Sequence, residues 1–302
     1  MKTKEVVLKA RQLGVCIPAF NIPHPEMLKP IAAAIKDENS VAMIQVARVE
    51  WEKMYSVSLE NIADEYAKYK NDHTLLHLDH IPVVDEDYKD VDYMSLIRRA
   101  LQAGYESVMI DGSRLSLKDN IRVTAEAAEA AHEAGVPIES ELGAVMGHES
   151  GEMPPYDEIF AKKMGFTKID EAIEFAKASH CDWMSVAVGN IHGAIADSLR
   201  NQKKPEARLD VDHIADLYRA TGIPLVLHGG SGVKRESLLM AIKAGIAKIN
   251  VGTEMRQCYE KALSEHGNDV EAAREILYLR AREYIREYLE NTNLFTLLQK
   301  QD

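Results

Sequence analysis

The chain has 302 residues, 46% of them hydrophobic, and a formal net charge of −12. That acid excess excludes a general nucleic-acid binder, which needs a basic footprint, but not the capture of a small anion by a local positive site. No run approaches the ~18 apolar residues of a membrane span, and the first residues lack the apolar core of a signal peptide.

Cys16, Cys181 and Cys258 have no metal-like spacing and predict no disulfide framework. The expected location is therefore a reducing cytoplasm.

Short apolar runs recur at residues 15–21, 41–47, 75–80, 107–112, 137–143, 183–189, 224–230 and 246–253. Several are continuously apolar, as strands buried on both faces tend to be. Helical periodicity fills the gaps, over residues 26–39, 58–70, 93–103, 117–134, 168–179, 211–221, 234–244 and 254–263. Gly104, Gly135, Gly222 and Gly245 lie just past helical runs, where a C-terminal cap belongs. Parallel strands need crossover helices, so this alternation predicts an α/β (β/α)8 TIM barrel, one domain over residues 1–302. A doubly wound open sheet is the alternative.

Beyond Gly267 the pattern predicts one extra C-terminal helix over residues 269–290, then a short polar tail. Its apolar positions include Ile276, Leu277, Leu279, Ile285 and Leu289. They either pack on the helix's own barrel or meet a second subunit, in a homodimer or homotetramer.

Barrel active sites lie at the carboxyl ends of the strands. Asn21, Asp79 with His80, Asp111, Glu141, His192, His228 with Gly229-Gly230-Ser231, and Asn250 with Thr253 stand there. In Leu75-Leu-His-Leu-Asp-His80, alternation puts His77 and Asp79 on one face, with His80 where strand becomes loop. A buried carboxylate is costly unless it is paired, hydrogen-bonded or near a metal. His80, His192 and His228 meet at one rim and would offer zinc three neutral imidazoles and an open position. Taken singly, each reads as well as a core histidine. His73, His77, His132, His148, His180, His213 and His266 lack that placement and read as structural or exposed.

Asp111 and Glu141 also end strands. They would hold a second divalent or monovalent cation, support a ligating histidine by hydrogen bonds, or close the rim as a bonded pair. His228-Gly-Gly-Ser-Gly232, followed by a helix starting near Val233, reads as an anion cradle or as a plain tight turn. Asn250-Val251-Gly252-Thr253 completes it from the last strand, where barrels often bind phosphate. Residues 147–155 read as a loop. Its Glu149 either closes over a substrate as a base or is simply exposed.

The motifs, taken in order, resemble the class II (zinc-dependent) fructose-bisphosphate and tagatose-bisphosphate aldolase family. They are Pro18-Ala-Phe-Asn21, His77-Leu-Asp-His80, Met109-Ile-Asp-Gly-Ser113, Glu139-Ser-Glu-Leu-Gly143, Val188-Gly-Asn-Ile-His-Gly193, Leu227-His-Gly-Gly-Ser-Gly-Val233 and Lys248-Ile-Asn-Val-Gly-Thr-Glu254. The resemblance implies zinc on His80, His192 and His228, with Asp79 as proton donor and acceptor. It implies a second metal position at Asp111 and Glu141. Gly193, Gly229, Gly230, Ser231, Asn250 and Thr253 match the segments that hold dihydroxyacetone phosphate. Asn21, Val251 and Gly252 are counted with those substrate contacts. Glu149 matches the mobile-loop glutamate that moves the C1 proton of that ketone.

Departures fall mainly at the aldehyde half. Ala47, followed by Arg48, stands where relatives carry Ser, and Arg114 replaces a smaller residue. Asn190 and Ile195 flank the second histidine in place of Thr and Tyr. The expected reaction is reversible cleavage of a ketose 1,6-bisphosphate to dihydroxyacetone phosphate and an aldehyde. Alternatives are a ketose 1-phosphate with a sulfonate, carboxylate or neutral far end, and a non-catalytic sugar-phosphate-binding subunit. A Schiff-base route would need a lysine, and Lys248 sits within a strand run. The expected partner is a small phosphorylated sugar, with no nucleic acid and no membrane.

Overall fold

A run such as Ala42-Met-Ile-Gln-Val-Ala47 has no polar face to offer solvent, so both its sides must be covered. In the computed structural model, which describes residues 2–143, 155–190 and 207–300, they are. Strands β1 (Ile17–Asn21), β2 (Ala42–Ala47), β3 (Thr74–Pro82), β4 (Ser107–Asp111), β5 (Ile138–Leu142), β6 (Trp183–Val186), β7 (Leu225–Leu227) and β8 (Ile246–Val251) are parallel. They close into a barrel in sequence order, with β8 pairing β1. The open sheet is thereby excluded.

Helices wrap the outside. In chain order they are α1 (Thr3–Leu13), α2 (Leu28–Asp37), α3 (Arg48–Lys53), α4 (Leu59–Tyr69), α5 (Tyr93–Gln102), α6 (Leu117–Glu133), α7 (Tyr156–Ala161), α8 (Ile169–Ser179), α9 (Val211–Thr221), α10 (Arg235–Ala244), α11 (Thr253–Glu265), α12 (Val270–Glu283) and α13 (Leu294–Gln299). Side-chain caps mark several starts, as where Ser58, Ser116 and Asp210 accept backbone N–H groups of the first turn. Gly222 ends α9 in the left-handed region, φ +71°. Gly245 serves differently: its backbone is extended, and a Cβ there would lie 2.8 Å from Tyr218.

Four helices have no counterpart in the sequence reading: α1, α3, α7 and α13. The polar tail is a correction. Leu294 and Leu298 of α13 are buried with Val6, Val7 and Ala10 of α1, and together they close the bottom of the barrel. The long C-terminal helix is found close to its expected bounds, but not as one regular α-helix. It is α12, capped by Asp269, and it passes into a π-helical turn over Tyr284–Tyr288. Ala273, Leu277 and Ala281 are buried, and α12 packs on α2 and α11 of its own barrel.

Strand alternation sorts the interior into two levels. Near the bottom, Ile17, Ala19, Val41, Met43, Leu75, Trp183 and Val226 form an apolar plug. Further toward the carboxyl ends of the strands stand Asn21, Gln45, Asp79, Glu141, His228 and Asn250, all buried. The ladder between β3 and β4 shifts register between Leu78 and Ile81, and His80 has φ +22°. A non-glycine residue rarely adopts that conformation. Here it lets two consecutive residues, Asp79 and His80, serve one site.

Candidate active site

Asp79 is 2% exposed, and its carboxylate accepts from three amides. Oδ2 receives Asn21 Nδ2 at 2.9 Å and Gln45 Nε2 at 3.1 Å, and Oδ1 receives Asn250 Nδ2 at 2.9 Å. Burial pushes its carboxyl up, but the positive fields of His80, Lys248, His228 and His77 outweigh that and hold it at about 2. The group is thus an ionised base, fixed by three donors from β1, β2 and β8.

Two of the three sequence-nominated histidines converge on it. The rings of His80 and His228 are 4.4 Å apart. One ligand-type atom each from Asp79, His80 and His228 lie within 4.8 Å of one another. His80, Asp111 and Glu141 form a second such group. His80 Nδ1 is 3.3 Å from Asp111 and 3.9 Å from Glu141, and His228 Nδ1 is 2.9 Å from Glu141. Burial lowers His80, but Asp79, Asp111 and Glu141 raise it further, to about 10. Asp111 is held well below the usual carboxylate range, because His80 and Ser113 outweigh its burial. These carboxylates favour positive charge at His80, whether a proton or a metal ion brings it. Imidazole and carboxylate donors suit zinc and comparable divalent ions.

Beneath this group lies a buried network that the sequence reading missed. Glu139, 0% exposed, accepts from His228 Nε2 at 2.8 Å and from the Trp183 indole at 2.7 Å, and pairs with Lys248 Nζ at 3.0 Å. Lys248, equally buried, also donates to Asn250 Oδ1 at 2.7 Å. A continuous chain therefore runs from Glu139 through Lys248 and Asn250 to Asp79. Glu139 anchors one ring nitrogen of His228, as a carboxylate does for a ligating histidine. His77, read as structural, is buried here with Nδ1 2.8 Å from Ser107 Oγ; burial and then Lys248 depress it to about 3. The available signal was alternation, which aligns Glu139 with Glu141 and Lys248 with Asn250.

Glu50 was missed as well. It accepts from the Ala47 N–H at 2.8 Å at the start of α3, and Asn21 Nδ2 is 3.4 Å away. Burial pushes its carboxyl up to about 8. Asn21 thus sits between two carboxyl groups.

The glycine-rich loop after β7 and the start of α11 lie side by side. A Cβ on Gly230 would stand 2.5 Å from Ile249, so the loop must be bare there to lie against β8. Ser231 Oγ accepts from the Glu254 N–H at 3.4 Å, joining the two segments. Asn190 donates to the His228 carbonyl at 3.0 Å and accepts from Val188 N–H at 2.8 Å, which supports the loop's entry. The helix after the loop begins at Arg235, slightly later than Val233. Gly252, Val251 and Thr253 stand at the β8–α11 junction. Glu149, His192 and Gly193, with His148 and Ile195, lie outside the described residues.

Fold and site together define a (β/α)8-barrel enzyme with its chemistry at the carboxyl rim. The chain belongs to the class II fructose-bisphosphate aldolase family, whose model matches residues 1–298. That family comprises metal-dependent lyases acting on phosphorylated sugars. A fructose-bisphosphate aldolase of Helicobacter pylori is 30% identical over 291 residues, covering 89% of this chain and 88% of that protein. One of Staphylococcus aureus is 30% identical over 291 residues, covering 94% and 92%. Among solved structures, the YdjI aldolase of Escherichia coli K12 superposes with a TM-score of 0.75 at 26% identity, over 95% of this chain and 97% of that one. Among the described residues, no helix is long and apolar enough to cross a membrane.

Proposed function

We propose that this protein, as one barrel domain, carries out zinc-dependent reversible aldol cleavage of a ketose bisphosphate of the fructose or tagatose type. The products are dihydroxyacetone phosphate and an aldehyde. The observation that carries this reading is the ionised Asp79 carboxylate, fixed by three amides within reach of His80 and His228. His80 and His228, with His192, would hold the zinc ion. Asp111 and Glu141 would hold a second cation or secure His80. When bound, zinc supplies Lewis-acid polarisation of the substrate carbonyl.

Asp79 removes the proton of the C4 hydroxyl. The C4 oxygen becomes the aldehyde oxygen as the C3–C4 bond breaks, and the bonding pair stays with the three-carbon fragment as its enediolate. Glu149 then gives a proton to the former C3, which is C1 of the released dihydroxyacetone phosphate. The phosphate of that fragment is held by Gly193, Gly229, Gly230, Ser231 and the segment Asn250-Val251-Gly252-Thr253, where two helix N-termini face an anion. Asn21 serves through Asp79, which it holds in place. The assembled enzyme is expected in the cytoplasm as a homodimer or homotetramer.

The test is release of dihydroxyacetone phosphate from fructose and tagatose 1,6-bisphosphate, with metal content measured in parallel. A chelator should abolish release and zinc restore it. His80→Ala and His228→Ala should lose metal and turnover together. Full activity in metal-free protein overturns the zinc reading.

A further inference from the structure

The glycine-rich loop after β7 runs on towards α10, and its last leg is fixed from outside the barrel. Val233 C=O and Lys234 N–H belong to one planar peptide. The N–H donates to the Ala207 carbonyl at 3.2 Å, and the C=O accepts from the Tyr288 hydroxyl. The preceding peptide is held at both ends as well. Gly232 C=O accepts from Ala207 N–H at 3.1 Å, and Val233 N–H donates to the Gly230 carbonyl at 3.2 Å. Two successive peptide planes are thus locked, and they set the direction of the backbone at the glycines.

Tyr288 closes the π-helical turn that follows α12. Within it, Leu289 N–H bonds the Tyr284 carbonyl at 3.0 Å, five residues back. Such turns are rare and frequent at functional sites. Here the turn and α12 reach both segments assigned to the phosphate. Arg235, at the start of α10, donates through Nε to the Glu287 carbonyl at 2.8 Å and pairs with Glu290. Arg280 of α12 pairs with Glu254, whose N–H donates to Ser231 Oγ at 3.4 Å. Asn291, 3% exposed, donates to the Cys16 carbonyl at 2.6 Å and ties the end of the turn to the entry of β1. The Tyr288 ring stacks on Tyr284, with centroids 4.7 Å apart at 27°, and Tyr284 stands edge-on to Phe20 of β1 at 6.2 Å. The two stacked tyrosines differ in their hydroxyls. That of Tyr288 holds the loop, whereas the buried hydroxyl of Tyr284 has no partner among the described residues.

We propose that Tyr288 is a positioning residue for phosphate recognition, and that the π-helical turn braces the glycine loop through it. Backbone N–H groups hold an anion best when their directions are fixed before it arrives. Without the Tyr288 bond the Val233–Lys234 peptide loses one of its two anchors, and ordering the loop then opposes binding. Tyr288 acts through the loop backbone and takes no part in the proton transfers. The proposal rests on the aldolase reading, which places the phosphate of the three-carbon fragment at this loop.

The experiment compares the unmodified chain with Tyr288→Phe and Tyr284→Phe, each full length and zinc-loaded. Both changes delete one hydroxyl and keep the ring stack. Titration with dihydroxyacetone phosphate and with dihydroxyacetone gives Kd for each, cleavage of the ketose bisphosphate gives kcat and KM, and denaturant unfolding gives the midpoint. Tyr288→Phe should weaken dihydroxyacetone phosphate by about two- to tenfold, the usual effect of one hydrogen bond. KM should rise with it while kcat holds, as when ground and transition states lose the same interaction. Affinity for dihydroxyacetone, which lacks the phosphate, should not change. Tyr284→Phe should leave all of these as they are. Unchanged phosphate affinity in Tyr288→Phe, with or without a lower unfolding midpoint, overturns the proposal. So does an equal loss in both variants, or a loss shared by dihydroxyacetone. If the unmodified, zinc-loaded protein neither binds dihydroxyacetone phosphate nor cleaves the bisphosphate, the aldolase reading itself falls, and the proposal with it.

Discussion

The lower and upper halves of the barrel interior are built from the same strands and face the same axis, yet one is hydrocarbon and the other is charged. Below, Ile17, Ala19, Met43, Leu75 and Val226 meet the apolar faces of α1 and α13. Above, His77, Asp79, Glu139, His228 and Lys248 are equally buried. The boundary is a single side chain, Trp183, whose ring belongs to the plug and whose indole N–H donates to Glu139. The apolar plug excludes water from beneath the charges, which strengthens each hydrogen bond above it and makes each lost partner costly. Burial is therefore tolerated in the two halves for different reasons. Hydrocarbon contacts suffice in the lower half, whereas a closed network of partners is required in the upper half.

The largest break in this contrast is expected at Asp79. Asp79→Asn cannot accept the C4 proton, and cleavage should fall by about 10²–10⁴, the usual value of a positioned base. Exchange of the C1 proton of dihydroxyacetone phosphate should survive better, because the proposed mechanism assigns that step to Glu149. Equal loss of cleavage and exchange would reject the division of roles. The structure adds a second consequence. The new amide NH2 would face either the donors of Asn21 and Gln45 at the Oδ2 position or that of Asn250 at the Oδ1 position. A buried donor left unsatisfied should cost about 1–3 kcal/mol of stability, measurable by denaturant unfolding.

Next in size is Lys248→Met. It strands the Glu139 carboxylate in the interior, and removing one partner of a buried ion pair costs about 3–5 kcal/mol. Adding Glu139→Gln should recover part of that loss. Met43→Ala, in the plug, should cost a comparable ~2–5 kcal/mol, but no second substitution of a polar partner should rescue it. Rescue measured in both halves, or in neither, would dissolve the distinction.

The most gradual effect, spread over several units of pH, concerns Glu50. Its folded value of about 8 lies above the ordinary 4.5, so between these the folded chain binds more protons than the unfolded chain. Stability therefore falls as pH rises through that window, by at most about 1.4 kcal/mol per unit. Glu50→Gln cannot ionise and should flatten the dependence. Unfolding midpoints from pH 5 to 8, compared at equal metal content, would show parallel curves if Glu50 is not the source.

Much of this architecture was legible in the chain alone. Eight apolar runs too continuous for a half-exposed sheet demanded cover on both faces, and the strands appear there with ends moved by a few residues. The rim residues followed, because a strand's last inward side chain is placed by alternation. His80 and His228 duly meet, and the Gly229-Gly230 turn lies against β8. Other features depend on contacts between residues far apart in sequence. Glu139 and Lys248, 109 positions apart, both stand within strand runs of the sequence, but nothing local pairs them, and only barrel closure buries them together. His77 looked incidental until Lys248 and Glu139 surrounded it. Residues 294–299 carry too short a pattern to announce a helix, and only the open bottom of the barrel gives Leu294 and Leu298 something to cover. Strand periodicity fixes which face a side chain takes, because it is a property of the local backbone. Which charge finds which partner is decided by closure of the barrel, because an ion pair has a stabilising energy only at a distance the tertiary fold sets.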